Sequence, residues 1–345
     1  MDMKNPKAKK NSLLADLYSQ MRRVRTFEER VGELFVRGQS AGSMLHLSIG
    51  EESAAVGVCA NMRDGDTFTT HHRGHGIFLA RGADPNQMMA EIAGKESGYC
   101  GGKGGSMHIA DMGLGHLGAN AIVGGGIPAV VGAGLAARNK KQDAVSLAFF
   151  GDGATGQGIL YESMNMAALW RLPVVFVCIN NQYGMGTRID QATANPNLHE
   201  RALAFGLEAK TVDGLDVEDV ADAASELIAG ARQSKPAFLA IDCYRFFGHA
   251  RKDKSPYRDD AEEAEGRKKD PVAVARDKLI ANGFMSEAEL DAIDAEIDKE
   301  MDATMDFAVA GDEPQMSAMF RDVYDPTQPE PEPVRARLER VLARE

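Results

Sequence analysis

The chain has 345 residues, 44% of them hydrophobic and 26% charged, so it can bury a large core without disulfides or structural metals. With 51 acidic against 39 basic residues its formal net charge is −12, which argues against nucleic acid and against an anionic membrane surface as partners. The four cysteines, Cys59, Cys100, Cys178 and Cys243, show no CxxC spacing and read as free thiols in a reducing compartment.

Residues 1–12 (MDMKNPKAKKNS) are basic and polar with no apolar stretch behind them, and are expected to be a disordered tail. No apolar run reaches membrane-spanning length, so a cytoplasmic protein is expected. Over 13–35, Leu13, Leu14, Leu17, Met21, Val24, Phe27, Val31, Leu34 and Phe35 fall at helical spacing. Asn11 or Ser12 is the expected cap, and Gly38 the stop. Residues 66–70 read as a short strand running into the histidine-rich turn HHRGHG at 71–76. Glycines concentrate between 94 and 158, where backbone must approach something closely.

The AVSLAFF run at 144–150 suits a strand buried on both faces. A glycine-rich turn at 151–158, a helix at 159–170 and a second buried strand at 173–179 (PVVFVCI) complete a βαβ unit. A helix at 217–232 leads to a further strand at 238–243. These elements predict an α/β class, a mainly parallel sheet flanked by helices, over 13–265. The charged residues 250–270 read as a solvated loop. Ser286 with Glu289 forms a capping-box pattern before a helix whose stripe is Leu290, Ile293, Ile297 and Met301. DPTQPEPEP at 325–333 is an extended linker to a last short helix. Residues 266–345 are therefore expected to be a helical extension, packed on the same domain or on a partner.

The turn Gly151-Asp152-Gly153-Ala154-Thr155-Gly156 matches GxGxxG between a strand and a helix, the pattern of a dinucleotide site. Its context fails. Asp152 would put a carboxylate against a bare pyrophosphate, and the next strand ends in Asn180-Asn181 where a ribose-binding acid belongs. Asp152 and Asn181 instead lie just past the carboxyl ends of neighbouring strands, and their hard oxygens suit Mg2+ bridging to a diphosphate. The glycine turn, with the helix N-terminus behind it, would favour the phosphates.

GDG followed by the second asparagine of the pair resembles the thiamine diphosphate fingerprint. GDGATGQGILYESMNMAALWRLPVVFVCINNQYGMGT is similar to the alpha subunits of pyruvate, acetoin and branched-chain 2-oxo acid dehydrogenases. The resemblance runs through HLSIGEE at 46–52, HRGHG at 72–76, GGKGGSMHIAD at 101–111, ANAIVGGG at 119–126 and YRFFGH at 244–249. It implies a thiamine diphosphate-binding fold of the diphosphate-binding type. Asp152, Asn181 and the Tyr183 carbonyl would hold Mg2+, while Gly151, Gly153 and Ala154 would supply the turn and its backbone contacts to the diphosphate. Arg73 and His249 would supply charge, and Val123 a backbone contact to the pyrimidine. His72 stands where pyruvate-specific relatives often have tyrosine and would bond the same phosphate. His46 and His249 are the candidates for proton transfer.

The resemblance further implies a separate beta subunit with the pyrimidine-binding domain and the catalytic glutamate, joined as an α2β2 heterotetramer. Pyruvate or acetoin would give the same hydroxyethyl-cofactor intermediate, whose acyl group passes to a lipoyl domain of an acyltransferase. There are departures: the family's GQE is Gly50-Glu51-Glu52 here, and a regulatory serine of mitochondrial relatives is Ala250. Residues 249–258, with the Tyr257-Arg258 pair, are expected to be a loop that orders when cofactor binds. The glycines at 101–105 look like a phosphate cradle but suit a special loop beneath the cofactor. The readings weighed against this are a branched-chain substrate, a non-catalytic regulatory alpha-like protein, an NAD-dependent oxidoreductase and a single-chain thiamine enzyme.

Overall fold

The computed structural model describes residues 6–42, 44–323, 327 and 333–343. Residues 1–5 of the expected tail, and most of the expected linker at 325–333, lie outside that set. Helix α1 (Pro6–Val36) begins ahead of the cap expected at Asn11 or Ser12, so residues 6–12 form its first turns rather than a tail. There follow α2 (Glu52–Cys59), β1 (Thr67–His71), α3 (His75–Ala80), α4 (Pro85–Ile92), β2 (His116–Asn120), α5 (Ile127–Asn139) and β3 (Ser146–Gly151). Next come α6 (Gly158–Leu169), β4 (Val174–Asn180), a small hairpin of β5 (Tyr183–Gly184) and β6 (Thr187–Arg188), α7 (Ile189–Ala192) and α8 (Leu198–Leu203). The chain continues through β7 (Glu208–Asp213), α9 (Val217–Arg232), β8 (Ala237–Asp242), α10 (Asp260–Arg267), α11 (Pro271–Ala281), α12 (Glu287–Ala310) and α13 (Val334–Leu342).

Six strands make one parallel sheet in the order β2-β1-β3-β4-β8-β7. The three strands expected from continuous apolar runs, β3, β4 and β8, are adjacent and central, and their side chains alternate between two cores. Leu147, Phe149, Val175, Val177, Leu239 and Ile241 join the core that includes residues of α1, α2, α9 and α12. Ala148, Phe150, Val174, Phe176, Cys178 and Phe238 join the other, with residues of α5, α6 and α8. Both faces are dry, which is why these runs show no polar alternation.

Helices α11 and α12 pack on the same body, α12 along α1 and α4, and α11 along α1. A buried cluster fastens them: Arg25 donates from Nε to Glu52 at 2.6 Å and from both terminal nitrogens to Asp270 at 3.0 Å. The capping box of Ser286 and Glu289 is formed, and Leu290, Ile297 and Met301 are buried. One expectation is corrected: the charged segment 250–270 is not all loop but contains α10. Its cap Asp259 accepts from the Glu262 N–H, and its acidic first turn complements the helix dipole. Among the described residues no helix is long and apolar enough to cross a membrane.

Candidate active site

In the ladder of β3 and β4, Gly151 stands opposite Ile179. Asp152 is therefore the first residue beyond one central strand, and Asn181 the first beyond its neighbour. The glycine turn does not enter α6 directly; residues Asp152–Gly156 form a 3-10 turn first. A Cβ on Gly153 would lie 3.3 Å from the Gly184 Cα, so the turn and the β5 hairpin approach backbone to backbone.

A cavity of about 420 Å3 opens over these strand ends. Its lining includes every cofactor-binding residue expected from the sequence: His72, Arg73, Val123, Gly151, Asp152, Gly153, Ala154, Asn181, Tyr183 and His249. His46 lies just behind, its ring centroid 4.5 Å from that of His72 and 4.8 Å from that of His249.

Asp152 is 2% exposed, and its Oδ2 has no hydrogen-bond partner. Burial pushes its carboxyl up to about 6, against the restraint of its own backbone N–H and of the Arg245 and Arg73 charges. Glu51 is equally buried and is also pushed up by burial, with Arg73 and the Asn181 hydrogen bond opposing. Its Oε1 accepts from Asn181 Nδ2 at 2.8 Å, while its Oε2 is unpartnered. An ionised carboxylate only accepts, so this bond fixes which way the Asn181 amide points. Asn181 Oδ1 then takes the Tyr183 N–H at 3.2 Å and keeps a second lone pair. Orphaned carboxylate oxygens beside an oriented amide oxygen are a donor set that fits a hard divalent cation.

Arg73 is not a surface ion pair. It is 3% exposed, donates to the Leu47 carbonyl at 2.6 Å and to the His249 carbonyl at 2.8 Å, and lies 3.8 Å from Glu51. It thus ties the segment carrying His249 to the segment carrying His46. Burial and then the Arg73 charge hold His46 down at about 3 and His249 at about 4. His72 is driven down too, by burial and by His71.

Sequence reasoning left Arg245 unassigned, although it lies inside the quoted YRFFGH motif. It is 1% exposed, lines the cavity and donates to the Phe247 carbonyl at 2.9 Å and to the Tyr257 hydroxyl at 3.1 Å. The available signal was a lone cation in an aromatic stretch just past a strand end. The Tyr257-Arg258 pair closes the same network. Tyr257 donates to Asp253 at 2.6 Å, Asp253 accepts the His249 N–H at 2.7 Å, and Arg258 donates to the Arg245 carbonyl at 2.8 Å. Glu52, next to Glu51 in sequence, points away into the Arg25 cluster and has a structural role.

The glycines at 101–105 spend their N–H groups inside the protein rather than on a phosphate. The N–H groups of Cys100, Gly102, Gly104 and Gly105 all converge at 2.7–2.9 Å on the buried carboxylate of Glu91. Gly101, Gly102 and Gly105 take positive φ to do so. Of the other histidines, His116 stacks on Phe68 and His75 bonds Glu28 and Ser106, both in the interior.

The family model of the dehydrogenase E1 component matches residues 19–317. The chain belongs to this family. It is similar to the alpha subunit of acetoin:2,6-dichlorophenolindophenol oxidoreductase of Bacillus subtilis, 42% identical over 310 residues, or 89% of this chain and 92% of that one. The pyruvate dehydrogenase E1 component subunit alpha of Zymomonas mobilis is 40% identical, covering 90% of this chain and 88% of its own. That of Rhizobium meliloti is 39% identical, covering 89% and 88%. With the family comes its cofactor dependence: the chain is the alpha-type subunit of a thiamine diphosphate-dependent oxidoreductase.

Proposed function

We propose that this chain holds thiamine diphosphate through Mg2+ and, with a beta subunit in an α2β2 assembly, cleaves acetoin or decarboxylates pyruvate, passing the acyl group to a lipoyl domain of an acyltransferase. The observation that carries the reading is the buried Asp152 carboxylate, its Oδ2 unpartnered, at the end of a central strand and lining one cavity with Asn181 from the end of the next. Asp152, Asn181 and the Tyr183 carbonyl would hold the ion. The backbone N–H groups of Gly153 and Ala154 would meet the diphosphate, the backbone of Val123 the pyrimidine, and Arg73 and Arg245 would balance its charge. When bound, the cofactor supplies a nucleophilic ring carbon and an electron sink.

The rest of the work falls to the chain's own groups. His46 and His249, neutral at neutral pH, can take a proton from a substrate hydroxyl or return one during acyl transfer. Among the described residues, Ile122 (74% exposed), Val123 (49%) and Met185 (66%) are apolar side chains at or next to the cavity rim. Such a rim suits a second chain, which would cover it and bring the missing glutamate. Acetoin is favoured as substrate by HRGHG and ANAIVGGG together with the 42% identity to the acetoin enzyme of Bacillus subtilis. Four unpaired cysteines favour a cytoplasmic setting.

Calorimetric titration of thiamine diphosphate, with and without Mg2+ and with and without the beta subunit, tests the reading. Mg2+-dependent binding that tightens with the partner and fails in Asp152→Ala supports it. Absence of binding in every mixture overturns it in favour of a regulatory alpha-like protein. Turnover of acetoin against pyruvate by the assembled pair then decides the substrate.

A further inference from the structure

His46, His72 and His249 come from three separate segments, before α2, after β1 and after β8, yet one ring nitrogen from each lies within 4.8 Å of the other two. Their ring centroids are 4.5, 4.8 and 5.4 Å apart. Other histidines of the chain spend their rings on hydrogen bonds: His75 on Glu28 and Ser106, His116 on Thr70, His199 on Thr211. His46, by contrast, is 3% exposed with Nδ1 unpartnered, and His249 bonds Asp253, Tyr257 and Arg73 through its backbone. Three imidazoles with lone pairs unspent converge on one point.

That donor set has a chemistry of its own. Mg2+ takes oxygen ligands and suits Asp152 and Asn181; imidazole nitrogens suit Zn2+ and its neighbours in the first transition row. Zn–N bonds of about 2.0–2.1 Å put three nitrogens on a tetrahedral ion about 3.4 Å apart, so side-chain rotations closing the present separations would seat it. Three protein nitrogens leave a fourth position open to water. The Arg73 and Arg245 guanidinium groups nearby oppose a cation there, and the Asp253 carboxylate beside His249 acts the other way.

We propose that His46, His72 and His249 form a second, nitrogen-donor metal site that takes Zn2+ and, when filled, shuts the catalytic cavity. The shutting rests on the function proposed above, because it assumes that these imidazoles face the reacting groups. The binding of the ion does not.

The test uses the full-length chain stripped of metal, with Mg2+ in large excess to fill the oxygen site. Co2+ is titrated first, followed through its visible ligand-field bands, and is then displaced with Zn2+. One equivalent per chain is expected. The signal should survive Asp152→Asn and Cys100→Ser, and weaken by on the order of tenfold or more in His72→Tyr and in His46→Gln. Thermal melts establish that each variant is folded, and either one suffices if the other is not. Absence of the bands, bands that survive both histidine changes in folded protein, or bands lost in Asp152→Asn would each overturn the site. With the complete enzyme, Zn2+ should inhibit turnover reversibly, with chelator restoring it. Zn2+ bound without inhibition would overturn the shutting alone, and a complex inactive before Zn2+ is added would count against the proposed function instead.

Discussion

Replacing Asp152 by asparagine isolates what it costs to hold a carboxylate in the cavity without a cation. The folded-state value of about 6 lies above the 3.8 of a free aspartate, so folding favours the protonated form. The stability this contributes is fully present below pH 3.8 and is lost as pH rises through 6. The shift from 3.8 to about 6, at about 1.36 kcal/mol per unit, makes the charged form cost about 3 kcal/mol at pH 7.5 and about 1.5 kcal/mol at pH 5. An asparagine amide left unpaired there gives back about 1 kcal/mol. In chelator, Asp152→Asn should therefore be more stable than the parent by about 2 kcal/mol at pH 7.5, shrinking to about 0.5 kcal/mol at pH 5. Added Mg2+ and thiamine diphosphate should reverse the order, since ligand at a hundred times its dissociation constant stabilises the parent by about 2.7 kcal/mol and the variant not at all. Denaturant melts at the two pH values, with and without ligand, measure all four quantities. A variant less stable than the parent in chelator at pH 7.5, or a gap that ignores pH, would refute the reasoning.

Glu91→Gln should cost about 3 kcal/mol in denaturant melts, because one amide oxygen cannot serve four converging N–H groups and the new NH2 faces two of them. Arg25→Ala should cost about 3–5 kcal/mol, leaving Glu52 fully buried with only the Gly50 N–H, and proteolysis should then reach α11 first. His249→Ala should slow reductive acylation of the lipoyl domain sharply in single-turnover measurements, and an unchanged rate removes that role from the residue.

The central strands were legible because both their faces are buried, so Val174 to Ile179 reads as one apolar word. The edges were not. His116–Asn120 is short, half-buried and out of register with β1 between Phe68 and Thr70, and Glu208–Asp213 carries charges on a largely open edge. Neither has the pattern that marks a strand. Helix α10 was hidden by its charge, since it buries little beyond Gly266 and is held by its cap and by Tyr183, whose hydroxyl meets Glu262 at 2.7 Å. The residues singled out for the site share one place in the fold. Motif residues carry their own chemistry, and the cavity gathers all of those expected to bind cofactor. Arg245 escaped because its partners are carbonyls and a tyrosine brought from residues 185, 247 and 257, contacts that local sequence does not display.

Asp152 and Asn181 hang from the ends of two hydrogen-bonded strands, one residue out of step in the ladder, so their placement is inherited from the sheet and its register more than from the packing of the helices around it. The sheet works as a gauge block. The helical layers on either side can be repacked, and the surface meeting another subunit rewritten, while the jaws that would grip an ion keep their opening. A fold of this kind can change what it acts on and whom it joins without having to rebuild the grip.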